Sequence, residues 1–338
     1  MNIYDISKKA GVSIATVSRV INGNAYVSEK TKLKVQGIMK ENGYTPNAFA
    51  RGLGLNTMKT VGILCADSSD PYIASAVFFI EQKLKANHYD SLLCCTGFDT
   101  ADKGKYLDLL LSKRMDAIIL VGSNFVEAEE DKNRYIRQGA LTVPVMIINA
   151  ALNGDNIYCT LCDDRRAVYD ATIALQNSGH KNILFLYNAK SYSGYKKSEG
   201  FVAAREDAIG AAFDRERYVH YLPGNINTVK EYLEMLYQKD LKFDAIITAD
   251  DSLAIGALKF ARAHNLAVPD EFSIIGYNNS IIAECSDPEL TSIDNKLEAV
   301  CNHCVNTLMG VFQNEEMPHR TVFSAEIIKR GTTRFDNK

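Results

Sequence analysis

Along the first 45 residues the apolar positions recur three and four apart, the spacing of one helix face. In NIYDISKKAG that face is Ile3, Ile6 and Ala10, and Gly11 supplies the left-handed residue that ends a helix. Ser13 is a good N-cap for a second helix, which turns Val17 and Val20 inward. A third helix, capped by Ser28 and closed by Gly43, carries Val35, Ile38 and Met39 on its inner face. Two short helices joined by a tight glycine turn make a helix-turn-helix. The second of them, in VSIATVSRVIN, leaves Ile14, Ala15, Ser18 and Arg19 facing outward. Many helical hairpins with a glycine turn bind nothing, so this stretch alone does not decide a function.

TPNAFARGLGLNTMKT follows. Thr45 before Pro46 is a helix start, and a short helix from Pro46 to Leu53 is predicted. Gly52 costs it about 1 kcal/mol relative to alanine, so it should fold only against a packing surface. From Val61 the pattern changes. Strand-like runs TVGILCA, SLLCCTG, DAIILVG and VPVMIIN alternate with amphipathic segments, and the series resumes with NILFLYN, YVHYL, DAIITAD and FSIIGYN. Two such series predict an α/β body of two doubly wound parallel-sheet lobes. Breaks fall near 158–165 and at SDPELTSID (286–294), and the need for short connections returns the helix after Ile293 to the first sheet. A cleft between the lobes, outside the carboxyl ends of the strands, is then the expected ligand site. The predicted organisation is an all-α head over 1–45, a hinge helix and linker over 46–59, a first lobe over 60–160 with 292–320, and a second over 161–291 with 321–338.

Charge sharpens this picture. Residues 1–60 hold nine Lys/Arg against three Asp/Glu, leaving 29 against 38 for the rest of a chain whose net charge is −3. A basic head on an acidic body suggests that only the head meets a polyanion. MNIYDISKK runs straight into amphipathic helix, and no apolar run reaches membrane-spanning length, so a cytoplasmic protein without membrane contact is expected. Eight cysteines fit such a compartment as free thiols. Cys159–Cys162 and Cys301–Cys304 have CxxC spacing, and His303 lies beside the second pair. One pair falls in a strand and the other in a long helix, though, which favours buried structural cysteine over zinc. There is no Walker loop, no GxSxG elbow and no HExxH, and GLGLNT does not follow a strand. Neither an enzyme nor a cofactor is implied. Asp250 and Asp251 are adjacent at a strand end, where side chains point apart.

The runs IYDISKKAGVSIATVSRVINGN, VSEKTKLKV, GYTPNAFARGL, VGILCADSSDPY, NSGHKNILFL, KKSEGF, AIITADDSLAIGALK, VPDEFSIIGYNN, DPELTSID and IIKRGTT resemble, in order and spacing, the LacI/GalR family of bacterial transcription regulators. The resemblance spans nearly the whole chain and implies a body similar to periplasmic sugar-binding proteins. It places Ile14, Ala15 and Arg19 at base edges in the major groove of double-stranded DNA. It places Tyr4, Ser13, Ser18, Asn22, Tyr26 and Ser28 at phosphates, although Ser13 and Ser28 would cap helices in any case. Leu53 matches the family's minor-groove wedge. Here Gly52 and Gly54 flank it, and the basic residue common after it is missing.

For the cleft, the resemblance points to Tyr72, Asn149, Lys197, Asp250, Asp251 and Asn278 as ligand-binding positions. Lys197 stands where an arginine is usual, Asn278 where an aspartate is usual, and Asn149 where an acid is frequent. An amide donates as well as accepts, and a lysine is a point charge rather than a fork. A sugar is therefore expected to be held by amide and aromatic contacts and one lysine. The implied protein is a homodimeric repressor that binds a pseudo-palindromic operator and answers to a small molecule, a sugar or related metabolite. Control by a protein partner, or a solute-binding protein that does not touch DNA, are the alternatives. RGTTRFDNK carries no leucine heptads, so no tetramerising tail is expected.

Overall fold

The computed structural model describes residues 1–22, 26–45, 57–224 and 226–335. The predicted hinge helix, with Gly52, Leu53 and Gly54, lies outside the described residues. Contacts divide the chain into two compact units, residues 1–60 with 114–116, and 61–113 with 117–338.

In the first unit, helices α1 (Ile3–Ala10), α2 (Ile14–Ile21) and α3 (Glu29–Glu41) follow the apolar spacing. Asn2 and Asp5 form a reciprocal capping box on α1, and Gly11 ends it at φ 62°. Ser13 caps α2 through the amide of Thr16 at 3.1 Å, and Ser28 caps α3 through the amide of Thr31 at 3.3 Å. Ile6, Ala10, Val17, Val20 and Val35 bury together between the three helices. The helix-turn-helix is therefore built as its apolar pattern dictates.

The second unit contains two six-stranded sheets. Along the chain run β1 (Thr60–Cys65), α4 (Pro71–Ala86), β2 (Asp90–Cys95), α5 (Thr100–Ser112), β3 (Ala117–Val121), α6 (Arg134–Ala140), β4 (Val145–Ile148) and β5 (Ile157–Cys162). Then come α7 (Asp164–Asn177), β6 (Ile183–Tyr187), α8 (Tyr192–Ile209), α9 (Arg215–Tyr218), β7 (Val219–Tyr221), α10 (Ile226–Gln238), β8 (Ala245–Thr248) and α11 (Asp251–Ala263). The last elements are β9 (Ser273–Tyr277), α12 (Ile281–Cys285), β10 (Thr291–Asp294), α13 (Leu297–Phe312), β11 (Arg320–Phe323) and β12 (Glu326–Ile328). The sheet orders are β11-β5-β4-β3-β1-β2 and β12-β10-β9-β8-β6-β7, which match position for position. Each strand of one lobe thus has a counterpart in the other, β4 answering to β9 and β3 to β8.

Central strands such as Ala117–Val121 are buried at every residue, because helices cover both faces of each sheet. As expected, α13 packs on the first sheet, its Val300, Cys301, Cys304, Val305 and Leu308 joining the core of β1, β3, β4 and α4. Cys159 and Cys162 are buried on β5, all eight cysteines are free thiols, and no cluster of three metal-ligating side chains occurs among the described residues. No helix is long and apolar enough to cross a membrane among those residues.

Two details depart from the sequence expectation. The second sheet is not wholly parallel, since β12 runs antiparallel to β10. β11 runs parallel to β5 and ends on the cleft side of the first sheet, and β12 begins three residues later, so the chain enters the second sheet from the cleft and runs away from it, opposite to β10. The strands also place the crossings between lobes two to three residues beyond the expected cuts at 160, 291 and 320. The first sheet keeps β5 to Cys162 and β11 to Phe323, and the second keeps β10 to Asp294. Where β10 leads into α13, Lys296 binds Asp294 at 2.9 Å and Glu326 at 2.7 Å, tying two of the crossings together.

Candidate functional site: a helical DNA-reading face and an inter-lobe cavity

On the head, α2 buries Val17 and Val20 and turns Ile14, Ala15 and Arg19 to the exterior, with Ser18 half-buried. Tyr4 on α1 is exposed, as are Tyr26 and Ser28 ahead of α3. Ser13 and Ser28 each cap a helix, so their hydroxyls already serve the fold. Asn22 ends α2, its amide nitrogen 3.5 Å from Ser18 Oγ and its carbonyl oxygen buried with no partner among the described residues. Leu53 falls outside the described residues.

In the body, one cavity of about 260 Å³ is lined by residues of both lobes at the carboxyl ends of their strands. It brings together all six cleft residues singled out from the sequence: Tyr72, Asn149, Lys197, Asp250, Asp251 and Asn278. Their roles differ. Asn149 follows β4 and Asn278 follows β9, the matching strands of the two sheets, and both take a left-handed backbone, φ 68° and φ 93°. That turn lifts each amide from a strand end into the cleft, and asparagine tolerates it better than most residues. Asn278 Oδ1 accepts from Asn295 at 3.1 Å.

Asp250 caps α11 through the amide of Leu253 at 2.9 Å and accepts from Asn188 Nδ2 at 2.6 Å. Burial raises its pKa, opposed by these hydrogen bonds and by Lys197. Asp251 is almost fully buried and both its oxygens are taken. One accepts from the amide and hydroxyl of Ser280, each at 2.7 Å, and the other from Ser292 Oγ at 2.6 Å. It holds the α12 turn against β10. The adjacent pair does point apart, and of the two it is Asp250 whose carboxylate is left to face the cavity.

Lys197 is only 6% exposed. Its ammonium donates to the Ala249 carbonyl at 2.8 Å and lies 3.5 Å from the centroid of the Tyr277 ring. Behind it, the Tyr277 hydroxyl donates to Asp164 Oδ1 at 2.5 Å, where β5 crosses into the second lobe. Burial lowers the pKa of Lys197 and raises that of Asp164, and each charge counters the other's shift. Burial also lifts the Tyr72 and Tyr277 phenols well above their ordinary value, so both stay neutral. The one lysine of the cavity has therefore already spent much of its charge on the protein.

The cavity includes residues that were not singled out from the sequence. Asp67 and Asp70 stand after β1, Phe98 after β2, Asn124 after β3, and Asn188 and Ser191 after β6. Each follows the carboxyl end of a strand readable in the sequence, so the rule that located the cleft could have named them. Phe98 is 70% exposed, an uncovered ring at the cavity wall. Asn124 Nδ2 is buried with no partner among the described residues. Its own carbonyl accepts from Lys103 Nζ at 2.5 Å, and that lysine, buried on α5, also binds Glu127 at 3.1 Å. Across the mouth the lobes touch, Ser123 Oγ donating to Ser191 Oγ at 2.9 Å and the Tyr192 amide to the Ser123 carbonyl at 3.3 Å.

Comparison with known proteins agrees with this geometry. Residues 2–47 match the model of bacterial regulatory proteins, lacI family, and residues 173–333 that of a periplasmic binding protein-like domain. An HTH-type transcriptional regulator of Lachnoclostridium phytofermentans is 55% identical over 335 residues, which cover 99% of this chain and 100% of that protein. Among solved structures, the lac repressor dimer bound to operator and the anti-inducer ONPF has a TM-score of 0.87 at 19% identity, covering 98% of this chain and 99% of that one. A complex of the transcriptional regulator CelR with cellobiose has a TM-score of 0.71 at 22% identity, covering 98% and 99%.

Proposed function

The chain belongs to the lacI family of bacterial regulatory proteins, transcriptional regulators with DNA-binding and ligand-binding domains, and on that premise we propose a homodimeric repressor whose grip on a pseudo-palindromic operator is set by a neutral sugar in the inter-lobe cavity. The observation that carries the ligand class is the wall of that cavity. Four asparagines, Asn124, Asn149, Asn188 and Asn278, contribute to it from both lobes. Amides pair with hydroxyls as donor or acceptor alike, which suits a polyol. The exposed ring of Phe98 offers an apolar face to the C–H side of a pyranose. Asp67, Asp70 and Asp250 accept from hydroxyls and repel anions, while the ammonium of Lys197 is turned to Ala249 and Tyr277. Phosphorylated sugars are thus disfavoured. The size of the cavity, at the small end of the ligand pockets of folded proteins, favours a sugar of one or two rings.

On the head, Arg19 is the strong hydrogen-bonding reader of base edges, with Ile14 and Ala15 supplying apolar contact to thymine methyls. Tyr4, Ser18, Asn22 and Tyr26 set the register on phosphates, helped by the capping Ser13 and Ser28. Leu53 wedges into the minor groove. Ligand and DNA are coupled because each binds one arrangement of the lobes better than the other.

The test takes the full chain through a thermal-shift panel of neutral mono- and disaccharides beside their phosphate esters, then repeats operator titrations with any stabilising sugar. Stabilisation should appear with a neutral sugar and be absent with its ester. Duplex affinity should fall steeply with salt and change when that sugar is added. Preferential stabilisation by a phosphate ester overturns the ligand class, and binding that ignores both duplex sequence and salt overturns the regulator reading.

A further inference from the structure

Cys65 and Cys95 end two neighbouring strands of the first sheet, β1 and the edge strand β2. Their sulfurs are 3.7 Å apart. The backbones run side by side at this point, the Cys65 carbonyl accepting from the Thr96 amide at 2.8 Å. Adjacent strands lie about 4.8 Å apart, inside the Cα separation of about 4.4–6.8 Å that a disulfide spans. A bond of about 2.0 Å needs the sulfurs to close by less than the width of one atom. The two thiols also differ in access, Cys65 being buried and Cys95 exposed.

We propose that Cys65 and Cys95 are a reversible modification site, a dithiol that low-molecular-weight disulfides convert to an intramolecular disulfide. The exposed thiolate of Cys95 attacks one sulfur of the small disulfide and expels its partner as thiolate. Cys65 then gives up its proton and attacks the Cys95 sulfur, expelling the second small thiol. The protein loses two electrons and two protons, and the small disulfide becomes two thiols. The order of attack follows from burial, which with the neighbouring Cys95 pushes the Cys65 thiol up to about 12 and leaves it the slower, resolving partner. The site adjoins the cavity: Ala66 and Asp67 directly follow Cys65, Phe98 lies three residues after Cys95, and all three line the cavity wall. Oxidation there fastens the two strand ends that carry this wall.

Peptide mapping of the full-length protein, incubated with oxidised glutathione and digested with trypsin without reduction, tests this directly. Tryptic peptides 60–83 and 86–103 hold the two cysteines. In the wild type they should be joined through Cys65 and Cys95, and dithiothreitol should part them. Cys65→Ala should stop at a glutathione adduct on Cys95, and Cys95→Ala should yield neither product. A wild type that halts at the adduct overturns the proposal. So does a bond from Cys95 to Cys94, or between the Cys95 residues of two chains, which fragment masses distinguish. No sugar or DNA enters the measurement, so the outcome is independent of the proposed ligand.

Discussion

Lys197→Met keeps the length of a buried side chain and removes its charge, which isolates what the ammonium does. It donates to the Ala249 carbonyl, lies over the Tyr277 ring and holds down the pKa of Asp164. A hydrogen bond from a charged donor contributes about 1.5–3 kcal/mol. Against it stands the cost of burying an ammonium, seen in the lowered pKa of Lys197 itself. Removing one charge while its partner stays buried costs about 3–5 kcal/mol. Asp164 keeps the Tyr277 hydroxyl, so the loss should sit at the lower end, about 3 kcal/mol near neutral pH.

Part of that loss is returned by a proton. Burial raises the Asp164 pKa, and the nearby lysine is the largest influence opposing it. Without Lys197 the pKa rises further. An acid whose folded pKa is raised adds stability below its unfolded pKa, about 3.9, and loses it as pH rises through the folded pKa. The deficit of Lys197→Met should therefore be largest near neutrality and shrink as pH falls toward the unfolded pKa. Urea unfolding across that range, with Asp164→Asn and the double variant beside it, reads both effects. The double variant should recover more than half of the neutral-pH deficit. A deficit that ignores pH and simply adds to that of Asp164→Asn would refute this account of the pair.

Arg19→Ala should lose about 1–3 kcal/mol of discrimination at one base position per half-site, measured by anisotropy on single-substitution operators; equal weakening on random DNA would make Arg19 a phosphate contact. Lys103→Met should leave secondary structure intact and weaken a sugar that stabilises the wild type about tenfold, or ~1.4 kcal/mol, because the Asn124 carbonyl loses its anchor. Unchanged calorimetric affinity would separate Lys103 from the cavity. Gly200→Ala should destabilise the body by about 3 kcal/mol, since a Cβ there would lie 2.1 Å from the Arg165 carbonyl oxygen between α7 and α8; a midpoint in urea matching the wild type would mean that the two helices separate at little cost.

Periodicity made the two architectures legible. Helical spacing with a glycine turn identified α1 and α2, and uninterrupted apolar runs such as DAIILVG identified strands covered on both faces. The direction of β12 was not legible, because EII carries no mark of which sheet receives it and the connection from β11 decides. In the cavity, the resemblance selected residues at positions of known use, and all six line the wall. It could not see that Asp251 is consumed by Ser280 and Ser292, since those partners lie about thirty and forty residues away in sequence. Lys103 carried no signal, being one more lysine on an amphipathic helix until the fold buried it beneath the loop after β3. Asn124 was within reach, two residues past a predicted strand end.

The departures at 149, 197 and 278 form one arrangement when charge is followed across the cleft. Asp70 on one lobe lies close enough to Asp250 on the other that its negative charge disfavours the ionisation of Asp250. Further carboxylates at the ends of β4 and β9 would add to that repulsion inside a cavity whose lysine already serves Asp164, Tyr277 and Ala249. An arginine reaching into the cavity could offset two more acids with its planar fork. A lysine turned back to the strand ends cannot. Amides at both matching positions keep the hydrogen-bonding capacity and remove the charge, so the lysine and the two asparagines are mutually consistent. Changing one of them alone should then leave either an uncompensated carboxylate or an arginine without its acid.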